Sequence, residues 1–135
     1  NDAVAFAGAI GQPDAHSGEL PCVYVELVAG ATVSDEELME YAINNIGEAG
    51  AKPKHLEILK ELPKTAVGKV FKPDLRKMAI TRIFDQTLSE RNAKARVSGV
   101  KDDKKLGLVA QISGEASDAL IKEALQDFTI PWERS

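Results

Sequence analysis

Apolar and polar positions divide this chain into a series of short elements. Val4 to Ile10 is a nearly continuous apolar run ended by Gly11-Gln12-Pro13-Asp14, which predicts a buried strand and a turn. His16-Ser17-Gly18-Glu19 continues the connection, and Leu20 to Leu27, rich in valine, predicts a second strand. Ser34-Asp35-Glu36-Glu37 reads as a capping box: the serine side chain satisfies a first-turn amide, and the glutamate three residues on reaches back. Leu38, Tyr41, Ala42 and Ile46 follow at helical spacing and predict one buried face, closed by Gly47 and Gly50. After Pro53, His55 to Leu59 predicts a third strand. Pro73 suits the first turn of a second helix, where its missing amide hydrogen would be unpaired anyway. Leu75, Met78, Ala79 and Ile83 predict that helix's inner face, running to about Ser89.

The pattern repeats on a smaller scale toward the end. Ala95 to Val100 and Leu106 to Ile112 predict two strands, with Lys101-Asp102-Asp103-Lys104-Lys105 as the hairpin tip between them. Leu120, Ile121, Ala124, Leu125 and Phe128 mark an amphipathic helix after Ser117, and Trp132 reads as a packing residue. The fold class is therefore α+β: a small mixed β-sheet packed with helices in the order β-β-α-β-loop-α, plus a C-terminal β-β-α extension. The predicted boundary lies between residues 1–92 and 93–135.

Length and charge narrow the function classes. A chain of 135 residues can bury enough surface to need neither disulfide nor metal staples. The single Cys22 lies inside an apolar run, cannot pair within the chain, and suits a reducing cytoplasm. No apolar run approaches the roughly 18 residues of a membrane span. His16 has no second histidine or suitably spaced carboxylate nearby, so it reads as a loop residue and no metal site is expected. Net charge is −4, which argues against non-specific nucleic-acid binding. That total hides an asymmetry, because residues 60 to 77 alone carry +4 and leave −8 elsewhere. A basic segment on an acidic body is where an anionic ligand is expected; a solvated, lysine-rich helix start is the plain alternative.

The segment Leu62-Pro63-Lys64-Thr65-Ala66-Val67-Gly68-Lys69-Val70-Phe71-Lys72-Pro73 holds the centre of that charge. Its Gly-Lys pair raises the question of a phosphate loop, which needs a glycine five residues before the Gly and a hydroxyl after the Lys. Those positions are Pro63, which has no amide hydrogen, and Val70. The phosphate-loop reading fails at both ends.

A different resemblance fits better. Val4 to Asp14 with Gly18-Glu19, the strand Val23 to Leu27, the capped start Ser34 to Leu38, and above all Glu61-Leu62-Pro63-Lys64-Thr65-Ala66-Val67-Gly68-Lys69-Val70 resemble the C-terminal domain of adenylate-forming enzymes. That family comprises acyl-CoA synthetases, adenylation domains of peptide synthetases, and luciferases. The similarity covers roughly residues 1 to 90. Two stretches depart from it: Gly50-Ala51-Lys52-Pro53 displaces a lysine by one position, and Phe71-Lys72-Pro73 stands where relatives often carry an arginine pair.

The resemblance implies a lid domain of an AMP-forming acid–CoA ligase, in which a carboxylic acid and ATP give an acyl-adenylate and then a thioester. Lys69 would be the catalytic lysine of adenylation, supported by Pro63, Lys64, Thr65 and Gly68, and the same Lys69 would be a target for regulatory acylation. Lys64, Lys72 and Arg76 are not assigned as catalytic. ATP with Mg2+ and coenzyme A would serve the full-length enzyme, with none expected on this piece. Its partner would be an N-terminal AMP-binding domain of the same chain, because a start directly on a core strand reads as cut from something longer. The piece alone is expected to be inactive, its compartment cytoplasmic. The competing reading is a free-standing α+β module that binds a small molecule or a protein and regulates.

Overall fold

The computed structural model describes residues 2–45 and 52–135. Among these residues the elements follow in the order β1 (Val4–Asp14), β2 (Gly18–Leu27), α1 (Asp35–Asn45), β3 (His55–Ile58), α2 (Lys72–Glu90), β4 (Ala95–Asp103), β5 (Gly107–Gly114), α3 (Asp118–Leu125) and β6 (Trp132–Arg134). They form two sheets, ordered β1-β2-β3 and β4-β5-β6. The α+β class expected from the pattern is the class observed. By packing, the chain groups into two compact units, one of residues 1–11 and 20–76, the other of residues 12–19 and 77–135.

In the first unit β2 is the central strand. It pairs with β3 in parallel, Cys22 opposite His55 and Val25 opposite Ile58. A parallel pair needs a crossover connection, and α1 supplies it. Ser34 Oγ accepts from the Glu37 amide at 3.1 Å, as the capping pattern requires. Leu38 packs with Val25 and Leu56 in a buried cluster. Tyr41, placed on the same face by its spacing, is instead 48% exposed: only about one side of this 11-residue helix meets the sheet. Ile46, Gly47 and Gly50, expected to finish the helix, lie outside the described residues. Cys22 is fully buried, as its apolar surroundings indicated.

The first turn falls later than expected. β1 runs on through Gly11-Gln12-Pro13-Asp14 instead of turning there. β1 is an edge strand, where a proline's missing amide hydrogen costs no ladder bond. The reversal comes at Ala15-His16-Ser17, where Asp14 Oδ2 accepts from the His16 and Ser17 amides (3.1 and 2.8 Å) and from Ser17 Oγ (2.7 Å). These three bonds hold the Asp14 carboxyl below the usual aspartate range, the Ser17 hydroxyl contributing most.

In the second unit α2 lays Ile80, Phe84 and Leu88 against Val97, Ala110, Ile112 and Ile121 in one buried core. Met78, expected on the inner face, is 37% exposed, because the buried stripe advances through Ala79, Ile80 and Phe84. β4 and β5 pair antiparallel from Ala95 opposite Gly114 to Asp103 opposite Gly107, with an irregularity between Val97 and Gly99. Lys101, Asp102 and Asp103 thus belong to the strand; the tip is Lys104-Lys105-Leu106, tied by Asp103 Oδ1 to the amides of Lys105 and Leu106. Ser117 caps α3 through the Leu120 amide. A strand the pattern did not announce, β6, pairs in parallel with β5 and places Trp132 opposite Ala110, packed against the core.

Candidate functional site

Residues 62 to 71 fold back on themselves as a small hairpin. Its stem is closed by the Phe71 amide donating to Pro63 O (2.7 Å) and by an antiparallel bridge between Lys64 and Val70. Nearer the tip, the Thr65 amide donates to Lys69 O (2.7 Å) and the Gly68 amide to Thr65 O (2.9 Å). Thr65 Oγ1 accepts from the Lys69 amide at 3.2 Å. Gly68 has φ of +84°, a left-handed residue directly after a tight turn, which is a common way to close a short hairpin. Pro63 and Thr65 therefore act at the stem, Thr65 with its hydroxyl as well as its backbone, and Gly68 at the turn.

The base of the hairpin is fixed to the sheet. Leu62 is 1% exposed, and its amide donates to Glu26 Oε1 of β2 at 2.9 Å. The same Glu26 oxygen accepts from Lys64 Nζ at 2.7 Å. Lys64 Nζ also lies 3.3 Å from Leu62 O and 4.5 Å from the centre of the Phe6 ring. The Lys64 hydrogen bond, then the Leu62 amide, holds the Glu26 carboxyl below the ordinary glutamate range. Behind the hairpin, Gly8 of β1 is so closely covered that a Cβ there would meet Leu75 Cδ1 at 2.5 Å and Val70 Cγ1 at 3.0 Å.

Lys69 sits at the exposed end of this scaffold. Ala66, Val67, Gly68 and Lys69 are all exposed, Val67 at 80%. Among the described residues, no ion pair engages Lys69, Lys60, Lys72 or Arg76, whereas Lys64 is paired with Glu26 and Lys77 with Asp102. The five residues singled out in the sequence thus lie in one hairpin, but its two lysines are in different states. Lys64 is tied down; Lys69 is presented to solvent. Glu26 and Phe6 escaped the sequence reading, although a lone carboxylate in the apolar run Cys22 to Leu27 was a signal that it had a partner. No cluster of three or more histidine, cysteine or acidic side chains suited to a metal occurs among the described residues.

Residues 1–69 match the family described as the AMP-binding enzyme C-terminal domain, which is just over half of the chain. The chain belongs to this family. Like other AMP-binding enzyme C-terminal domains, it is similar to part of much longer proteins. It is 44% identical over 85 residues to a marinolic acid–CoA ligase of Pseudoalteromonas sp. (strain SANK 73390), covering 63% of this chain and 13% of that protein. Among solved structures it resembles a Brucella canis acyl-CoA synthetase, with a TM-score of 0.50, 32% identity, and coverage of 56% of this chain and 14% of the other. It also resembles the anthranilate CoA ligase AuaEII in complex with anthranoyl-AMP, with a TM-score of 0.52, 27% identity, and coverage of 60% and 16%. The chain therefore spans about one-seventh of the length of these relatives. No helix among the described residues is long and apolar enough to cross a membrane.

Proposed function

We propose that this domain is the lid of an ATP-dependent, AMP-forming acid–CoA ligase and that Lys69 is its adenylation lysine. The chemistry sets the requirement. A carboxylate oxygen must form a bond to the α-phosphorus of ATP while the bond to the bridging oxygen breaks and pyrophosphate leaves. Two anions approach one another as negative charge builds on the phosphoryl oxygens. A compact ammonium placed between them offsets that charge and fixes the geometry. Lysine supplies it as a point charge on a long stem. In the second step a thiol sulfur attacks the acyl carbon, AMP leaves, and the thiol proton goes to solvent or base.

One observation carries the reading: Lys69 is exposed, with no ion pair among the described residues, at the tip of a hairpin whose base is anchored. A stiff base limits the positions the ammonium samples, and exposure lets it enter a site formed by another domain. Magnesium bound in that other domain would neutralise phosphate charge. ATP, the acid and coenzyme A are accordingly assigned to a site completed by an N-terminal AMP-binding domain, with residues 1–92 as lid and 93–135 as an extension. The family match favours this reading over a free-standing regulatory module. A single cysteine, buried within β2, fits a cytoplasmic setting. Exposure also makes Lys69 open to acylation, which would cancel its charge and stop adenylation; mass spectrometry after incubation with a protein acetyltransferase and acetyl-CoA tests this, an unmodified Lys69 counting against it.

The overall proposal is tested by complementation. Purified residues 1–135 should release no pyrophosphate from ATP with any carboxylic acid. The same chain joined to an N-terminal AMP-binding domain should do so in an acid-dependent way and then form a coenzyme A thioester. Acid-dependent release by residues 1–135 alone would overturn the assignment.

A further inference from the structure

We infer that Glu26 is a positioning residue for Lys69, acting through Lys64. This rests on the reading of Lys69 as the adenylation lysine. Glu26 lies near the end of β2, one residue after Val25, whose carbonyl accepts from the Leu59 amide at 2.8 Å. Backbone pairing between β2 and the β3 segment ends there. Glu26 carries the attachment onward with its side chain, since one oxygen accepts from the Leu62 amide and the Lys64 ammonium, residues 36 and 38 positions away. Lys64 is in turn bridged to Val70, the neighbour of Lys69. A continuous set of contacts thus runs from the central strand to the residue beside the exposed ammonium.

The pair is well placed to act this way. The Glu26 and Lys64 side chains are only 18% and 20% exposed, and the Phe6 ring covers the ammonium from a further side. A charge-assisted bond of this kind is roughly twice as strong as a neutral one, and both donors converge on one acceptor. Lys64 then has its charge committed to the fold and is not offered to phosphate. Two lysines of one loop divide the work: one holds the hairpin, the other reaches.

Amide exchange in residues 1–135 and half-reaction kinetics in the two-domain enzyme test this together. Glu26→Ala should speed exchange at Gly68, Lys69 and Phe71 by about tenfold or more, and Glu26→Gln, which keeps an acceptor for the Leu62 amide, should fall between. Lys64→Met, which keeps a long apolar stem over Phe6, should match Glu26→Gln, and combining the two should add little. In the two-domain enzyme, Glu26→Ala should slow acyl-adenylate formation while thioester formation from supplied acyl-adenylate keeps its native rate. Native exchange at those amides in both Glu26→Gln and Lys64→Met would overturn the inference, even if Glu26→Ala failed to fold. Equal loss of both half-reactions would also overturn it, because that marks general damage. Should Lys69→Ala leave adenylation intact, the reading of Lys69 falls instead, while the exchange data still report whether Glu26 holds the hairpin.

Discussion

Replacing Gly68 isolates the backbone requirement of the hairpin from its side-chain contacts. Gly68 has φ of +84°, and a Cβ built there meets nothing within 4 Å. An added methyl group therefore clashes with no neighbour, and the whole cost of Gly68→Ala is conformational. Holding an L-residue in the left-handed region costs about 1–2 kcal/mol. At tenfold per about 1.4 kcal/mol, the native hairpin should lose roughly 5- to 30-fold against unstrained loop conformations. Global stability should change less, because alanine also restricts the unfolded chain by about 0.4–1 kcal/mol relative to glycine. The assay is amide exchange at Thr65, Gly68 and Lys69, whose hydrogen bonds close the turn, alongside a thermal melt. Gly68→Asn should recover much of the protection, since asparagine tolerates the left-handed region. Native protection in Gly68→Ala would refute the reasoning. So would a Gly68→Asn variant as damaged as Gly68→Ala, because strain would then not be the cause.

Other expectations follow from the same contacts. Leu62→Ala removes a 1%-exposed side chain from the hairpin base and should cost about 2–5 kcal/mol by denaturant titration; a cost under about 1 kcal/mol would contradict its place in the core. Gly114→Ala should lower the melting temperature steeply, since its Cβ would run into Lys94 O and lie 2.6 Å from Ala95 Cα, both backbone atoms, where φ is already +130°; an unchanged melt would contradict that crowding. Glu26 has its folded-state pKa lowered, so its contribution is present above the unfolded value of about 4.3 and is lost as pH falls below it. Intrinsic-rate-corrected protection of the Leu62 amide should accordingly be flat from neutral pH to about 5 and fall only in more acid solution; a loss that sets in above pH 5 would give the wrong sign. Ending the chain after Asn92 strips Val97, Ala110, Ile112 and Ile121 from Ile80, Phe84 and Leu88, so the truncated chain should melt lower or aggregate; native melting would show that residues 93–135 add nothing to that core.

Much of the fold was legible because its signals are local. Ser34 announced a helix start through capping, apolar spacing after Ser117 announced another, and the short apolar runs announced β2, β3 and β5. What stayed hidden depended on partners distant in sequence. Pro13 reads as a turn residue until β1 is known to be an edge strand, and Lys101 to Asp103 read as a loop tip until Asp103 is seen accepting the turn amides. β6 has three residues, too few for a period, and exists because β5 offers it an edge. At the site, the loop was readable because proline, glycine and lysine each mark a local need. The different fates of Lys64 and Lys69 were not, since only Glu26, nearly forty residues upstream, separates them.

Lys69→Ala in the two-domain enzyme, with each half-reaction followed separately, tests the central claim most directly. Acid-dependent pyrophosphate release should fall by at least about 100-fold, as expected when a group that stabilises transition-state charge is removed. Thioester formation from supplied acyl-adenylate should continue at the native rate. An undiminished rate of acyl-adenylate formation with alanine at position 69 would contradict the role assigned to this hairpin.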